Sequence, residues 1–260
     1  MSKKFSFCII LSLGLAISFS FGMVSAAKTA TGSYPDLRTV VPDHLQIQND
    51  HQHEFLRFSN AIANTGDGPW QMKPVFPLGS DLATQDAIQQ ILDDNGNVVR
   101  EVLVSQFQFH PEHNHWHIGD VALFSVHSGS STGEILQNTS VKSTFCLIDW
   151  IKLDDNSKTP ERTYFDCNGN LQGISKNWID QYHQSTEGQE IDITGAQPGL
   201  YYLVSKVNYK GTFLEKDINN NEAWTSFLLS RDSSGNAKIE VVGHSPCASP
   251  GLCAQGSANR

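Results

Sequence analysis

Four of the ten histidines in this chain fall within eight residues, His110-Pro111-Glu112-His113-Asn114-His115-Trp116-His117. Imidazole is a good ligand for copper, zinc, nickel and iron. On an extended strand side chains alternate between faces, so His113, His115 and His117 project from one side. Three imidazoles on one face pack poorly in a core and serve little purpose at a surface. A bound ion explains them once a local bend lets the rings converge. Three histidine ligands leave a coordination position open, the arrangement of a reactive centre rather than a closed structural one. Spacing alone does not choose copper over zinc. His110 reads as a neighbour that orients a ligand rather than as a ligand itself. The opposing reading is a solvent-facing strand that happens to be rich in histidine.

The rest of the chain sets the context for this cluster. Lys3 and Lys4 precede an apolar run from Phe5 to about Met23, and Val24-Ser25-Ala26 supplies small residues for cleavage. Residues 1–26 therefore read as a signal peptide, and the mature protein as secreted, without a membrane anchor after cleavage. Cys8 departs with that segment. The net charge of −9 argues against a nucleic-acid surface, which needs clustered Lys and Arg. An acidic protein attracts metal ions, amines or lysine-rich proteins instead. The four remaining cysteines, Cys146, Cys167, Cys247 and Cys253, suggest two disulfides in an exported protein, with three possible connectivities. Their spacing favours Cys146–Cys167 and Cys247–Cys253.

Short alternating or apolar runs bounded by Gly, Asn, Asp and Pro read as strands and turns. Such runs occupy Phe55 to Asn64, Val98 to Val104, Val121 to Val126, Lys142 to Ile148, Tyr201 to Val207 and Ala223 to Leu229. Thr84 to Leu92 has helical spacing, and a second helical turn is expected around Trp178–Tyr182. The pattern predicts an all-β protein, a β-sandwich core with few short helices and long loops that carry the site.

Beyond the cluster, the chain resembles the catalytic domain of the lysyl oxidase family. The motifs are His110-x-x-His113-x-His115-x-His117, Lys142-x-x-Phe145-Cys146-Leu147-x-Asp149 and Gly173-Ile174-Ser175. Asp180-x-Tyr182, Gln189-x-Ile191-Asp192-Ile193-Thr194, Pro198-Gly199-x-Tyr201 and Glu215-x-Asp217-x-x-Asn220-Asn221 follow in the same order. Upstream, Leu56-Arg57-Phe58-Ser59 and Asn64-x-Gly66 look like the family's early strand. The resemblance runs from about Pro35 to Leu229, within a single domain expected over 27–260 whose cysteine-containing tail is 230–260.

The resemblance implies copper on His113, His115 and His117, and a lysine tyrosylquinone cofactor made from Lys142 and Tyr182. It implies an amine oxidase that uses molecular oxygen to convert primary amines, peptidyl lysine among them, to aldehydes, releasing ammonia and hydrogen peroxide. Asp120, three residues after the last ligand, is the candidate catalytic base. Four oxygen-bearing side chains in the Glu215 segment suit a hard cation. The resemblance pairs Glu215, Asp217, Asn220 and Asn221 with Asp36 and Leu37 around calcium. Glu112 stands where vertebrate members carry a cysteine, and Phe124 where they carry a histidine. Cys146 and Cys167 match family cysteines without their usual partners, which implies that they pair with each other. Two rival readings remain: a non-catalytic secreted copper- or zinc-binding protein, and a calcium-stabilised β-sandwich adhesion module.

Overall fold

The computed structural model describes residues 31–50, 52–79, 82–137, 144–154 and 159–254. The expected signal peptide, 1–26, and the expected cofactor lysine, Lys142, lie outside the described residues. In chain order the strands are β1 Leu37–Asp50, β2 His53–Asn64, β3 Trp70–Pro74, β4 Thr84–Leu92, β5 Val98–His110, β6 His115–Ile118, β7 Ala122–Ser128 and β8 Ile135–Gln137. There follow β9 Ile151–Lys152, β10 Gln172–Ile174, β11 Trp178–Tyr182, β12 Glu190–Asp192, β13 Gly199–Val207, β14 Glu222–Arg231 and β15 Ala237–His244. The described residues hold no α-helix, only a 3-10 turn over Gly251–Cys253. No helix among them is long and apolar enough to cross a membrane.

These strands form three antiparallel sheets. The first runs β1-β2-β11-β9 with β12 also on β2, the second β10-β3-β4-β5-β6, and the third β15-β14-β13-β7-β8. The first and third face each other as a sandwich. Phe58 meets Phe124 edge to face with centroids 5.1 Å apart. Ser205 Oγ donates to Asn60 Oδ1 at 2.7 Å, and Thr39 Oγ1 to the Asn221 carbonyl at 2.6 Å. The second sheet adds Trp70, Met72, Ala87, Phe107 and Ile118 to the same core. Burial of these apolar faces is the main driving force for such a fold.

Several expected elements change. Thr84 to Leu92 is strand β4, not a helix. Its core-side positions are Gln85, Ala87, Gln89 and Ile91, all buried. Two of those four are glutamines, which hides the period-two signal. Gln89 is satisfied by both backbone groups of Leu214, at 2.7 and 2.8 Å, and the Gln85 side-chain oxygen accepts the Phe76 amide at 2.9 Å. Trp178–Tyr182 is likewise strand β11, paired with β2 and β9. Of the expected strand from Lys142 to Ile148, the described part forms only an isolated bridge, Phe145 with Ile118. The tail after Leu229 is not an appendage: β15 extends the third sheet, and Leu252 packs into a small cluster with Val40, Ala63 and Ile179. Both disulfides favoured by spacing are present, with Cα–Cα distances of 5.5 Å for Cys146–Cys167 and 5.4 Å for Cys247–Cys253.

Candidate metal centre

The histidine cluster is built on the β5–β6 hairpin. His110 pairs with His115 and Gln108 with His117. Between the strands the His113 amide donates to the His110 carbonyl at 3.1 Å, and Asn114 to Pro111 at 3.2 Å. Asn114 closes the turn at φ +54, a left-handed conformation that asparagine tolerates. His113 therefore sits in the turn rather than on a strand with His115 and His117. The turn itself supplies the bend that convergence requires.

One nitrogen from each of His113, His115 and His117 lies within 4.8 Å of the others. The ring centroids are 5.4, 5.4 and 4.8 Å apart for the pairs 113–115, 113–117 and 115–117. The Nε2 atoms of His115 and His117 approach to 2.8 Å, a distance that calls for a proton or an ion between them. An ion bound at about 2.0–2.1 Å from each nitrogen fits such a set with little rearrangement. His117 is fully buried. Its Nδ1 lies 3.1 Å from Thr144 Oγ1, which fixes the ring and leaves Nε2 for an ion. His110 stacks on His117 at 4.2 Å and reaches the same threonine at 3.5 Å.

Tyr182, the last residue of β11, comes to this hairpin from another sheet. Its ring lies 6.5 Å from that of His117 and edge to face with Phe145 at 4.5 Å. Its hydroxyl accepts the Cys146 amide at 2.8 Å. Burial, followed by the nearby Asp180 carboxylate, pushes the hydroxyl pKa well above the ordinary tyrosine value. Asp180 is itself buried, two residues before Tyr182 and on the same face of β11. Asp120 sits at φ +55 just past β6. Its Oδ1 accepts the Tyr209 hydroxyl and the Lys210 ammonium, each at 2.8 Å. The Lys210 hydrogen bond holds the Asp120 carboxyl below the usual aspartate value.

The second expected ion site also assembles in large part. The Asn220 amide donates to Asp36 at 3.0 Å, while Glu215 accepts from Leu37 N and Asn221, both at 2.8 Å. The side-chain oxygens of Asn220 and Asn221 are buried without a hydrogen-bond partner. Burial raises the Glu215 pKa, and the Asp36 charge adds to the rise. Two carboxylates and two orphaned amide oxygens suit a hard cation. Asp217 does not join them; its carboxylate is taken by Asn219 at 2.9 Å.

Some residues that hold the centre had no assigned role in the sequence. Asp149 is completely buried and accepts four hydrogen bonds, from Thr163 N, Tyr164 N, Ser175 N and Ser175 Oγ. Gln172 joins the Trp116 and Cys167 carbonyls, at 2.8 and 2.9 Å, to Leu147 N at 3.2 Å. The motifs containing Asp149 and Ser175 were visible, but nothing local marks them as partners. Phe124 is fully buried in the core, so its position serves packing.

The family model for lysyl oxidase matches residues 91–235, more than half of the chain and the whole histidine hairpin with Tyr182. Lysyl oxidase homolog 1 of Homo sapiens is 33% identical over 115 residues, 44% of this chain and 19% of that protein. Protein-lysine 6-oxidase of Sus scrofa is 28% identical over 116 residues, 44% of each chain. The aligned segment thus spans under half the length of these curated relatives. The chain belongs to the lysyl oxidase family.

Proposed function

We propose that this protein is a secreted copper- and quinone-dependent amine oxidase acting on primary amines, including lysine side chains of proteins. The observation that carries the reading is the approach of Tyr182, from β11, to a three-histidine set on a different sheet. In the sequence Lys142 precedes Thr144, the partner of His117, by two residues. When bound, copper on His113, His115 and His117 would support oxidation of the Tyr182 ring by molecular oxygen and its linkage to Lys142, supplying a cofactor that converts amine, water and molecular oxygen to aldehyde, ammonia and hydrogen peroxide.

The protein's own groups do the positioning. Thr144 orients His117, the Cys146 amide holds the Tyr182 oxygen, and Phe145 fixes the plane of the ring. A carboxylate must take a proton from the carbon bearing the amine. Asp120 would have to exchange Lys210 for that task, whereas Asp180 already shares a strand face with Tyr182. Calcium on Asp36, Leu37, Glu215, Asn220 and Asn221 would tie the start of β1 to the loop before β14, with Asp217 able to join by rotating away from Asn219.

The test is a peptide map of protein loaded aerobically with copper. Lys142 and Tyr182 are expected in one cross-linked species, and amine-dependent peroxide release is expected to vanish in Tyr182→Phe. Both peptides recovered unmodified would refute the oxidase reading. Normal metal binding without peroxide in wild type would point to a metal-sequestering protein instead.

A further inference from the structure

A groove of about 360 Å³ lies beside the histidine hairpin, lined by Asp86, Leu103, Val104, Gln106, Gln108 and Asp120 among others. The strand register places it on the face that carries the histidines. Asp86 pairs with Gln106 and Thr84 with Gln108 across β4–β5, and Gln108 pairs with His117 across β5–β6. Cross-strand partners point to the same side of a sheet. Asp86, Gln106, Gln108 and His115 therefore share one sheet face with His117, which is covered and fully buried there, while Ala87, Phe107, Trp116 and Ile118 are on the opposite, core face. Two strand spacings and two residues along the strand separate Asp86 from His117, roughly 12 Å between α-carbons.

The chemistry of the groove is asymmetric. At one end Asp120 is neutralised by Lys210. At the other, Asp86 is exposed and its carboxylate makes no hydrogen bond or ion pair among the described residues. The Gln106 and Gln108 amides line the path between them, and Leu103, 61% exposed, offers an apolar wall. A lone carboxylate offers too few ligands for a metal ion. Combined with amide oxygens and an aliphatic wall, it suits an ammonium or guanidinium on an alkyl stem, which keeps its methylenes on apolar surface and its charge in water.

We infer that this groove is a subsite for a second positive charge on the amine substrate, bound by Asp86 roughly 12 Å from His117. The inference rests on the amine-oxidase reading of the histidine centre. The shared ligand chemistry is a primary amine linked to a distant cation, supplied either by a polyamine or by a lysine-rich peptide. Spermidine, a Lys-Ala-Lys peptide and butylamine serve as probes.

Two measurements test it. In the first, metal-free wild-type protein is titrated with spermidine and with the peptide while the side-chain amide resonances of Gln106 and Gln108 are followed by NMR. Both resonances are expected to shift with at least one probe, and affinity is expected to fall about two- to fivefold in Asp86→Asn. In the second, amine oxidation by copper-loaded enzyme is measured. KM for the better cationic probe should rise by a similar factor in Asp86→Asn with kcat unchanged, while KM for butylamine stays the same. The probe with the larger Asp86 dependence identifies the source of the second charge. Resonances that do not move, or shifts and KM values indifferent to Asp86, overturn the subsite. If no amine is oxidised but the resonances still shift in an Asp86-dependent way, the oxidase reading falls and the cation subsite stands.

Discussion

Replacing Asp149 gives the sharpest quantitative test of how the centre is held. Its Oδ2 accepts Thr163 N at 2.8 Å, Tyr164 N at 3.1 Å and Ser175 Oγ at 2.8 Å, while Oδ1 accepts Ser175 N at 2.7 Å. Asp149→Ala strands two buried backbone amides, of Tyr164 and Ser175, and frees the Thr163 amide, which sits on an exposed residue. At about 1–3 kcal/mol for each buried amide, the loss is on the order of 2–6 kcal/mol, a large share of a domain's typical ~5–15 kcal/mol. Asp149→Asn is more informative because it keeps the shape. Its oxygen can replace Oδ2 and keep three bonds, but its NH2 then faces the Ser175 amide, donor against donor. The expected loss is about 2–3 kcal/mol. Urea unfolding followed by tryptophan fluorescence measures it, with the midpoint falling at constant m-value. Asparagine within about 0.5 kcal/mol of wild type would show that this carboxylate does not organise the segment from Cys146 to Ser175.

Further outcomes follow from the same contacts. Thr144→Val removes the partner of His117 Nδ1 and should weaken copper or cobalt binding about 10- to 100-fold in a competition titration; unchanged affinity would remove Thr144 from the centre. Calcium at 100 times its dissociation constant should stabilise the wild-type fold by about 2.7 kcal/mol, seen as a higher Tm, and should do nothing for Asp36→Asn/Glu215→Gln. A calcium-induced rise in that double variant would place the ion elsewhere. Asp180→Asn should slow amine turnover about 100-fold or more without changing metal affinity, whereas full turnover would return the proton acceptor role to Asp120. The Asp120 carboxyl should titrate below the ordinary value of 3.8 by NMR and move up towards it in Lys210→Met. Its folded pKa being the lower one, the pair stabilises the fold above pH 3.8 and that contribution is lost as pH falls through the folded value. A resonance indifferent to Lys210 would contradict the contact.

What was legible in the sequence was what is local. The histidine spacing survives as a cluster because a four-residue turn between paired strands needs no distant information. The strands at Phe55–Asn64 and Tyr201–Val207 announce themselves by apolar content that tertiary contacts then bury. The β4 strand is hidden in the sequence because its core-facing glutamines answer to loop carbonyls and amides, more than a hundred residues away in one case. Asp149 was opaque for the same reason: its donors lie 14 to 26 residues downstream. The approach of Tyr182 to the histidines came only through resemblance, since no periodicity in β11 relates it to β6.

The split of the centre between a hairpin and a distant strand has a consequence for the order of assembly. Closing a loop as short as the one joining β5 to β6 costs little chain entropy, and such hairpins form in microseconds. Tyr182 reaches His117 only after β11 has found β2, an encounter across more than a hundred residues of chain. Convergence of the histidines and docking of the tyrosine are therefore separable in time. The three histidines can come together on the hairpin before the aromatic ring arrives, and the long-range pairing of β11 then sets the pace at which the two halves of the centre meet.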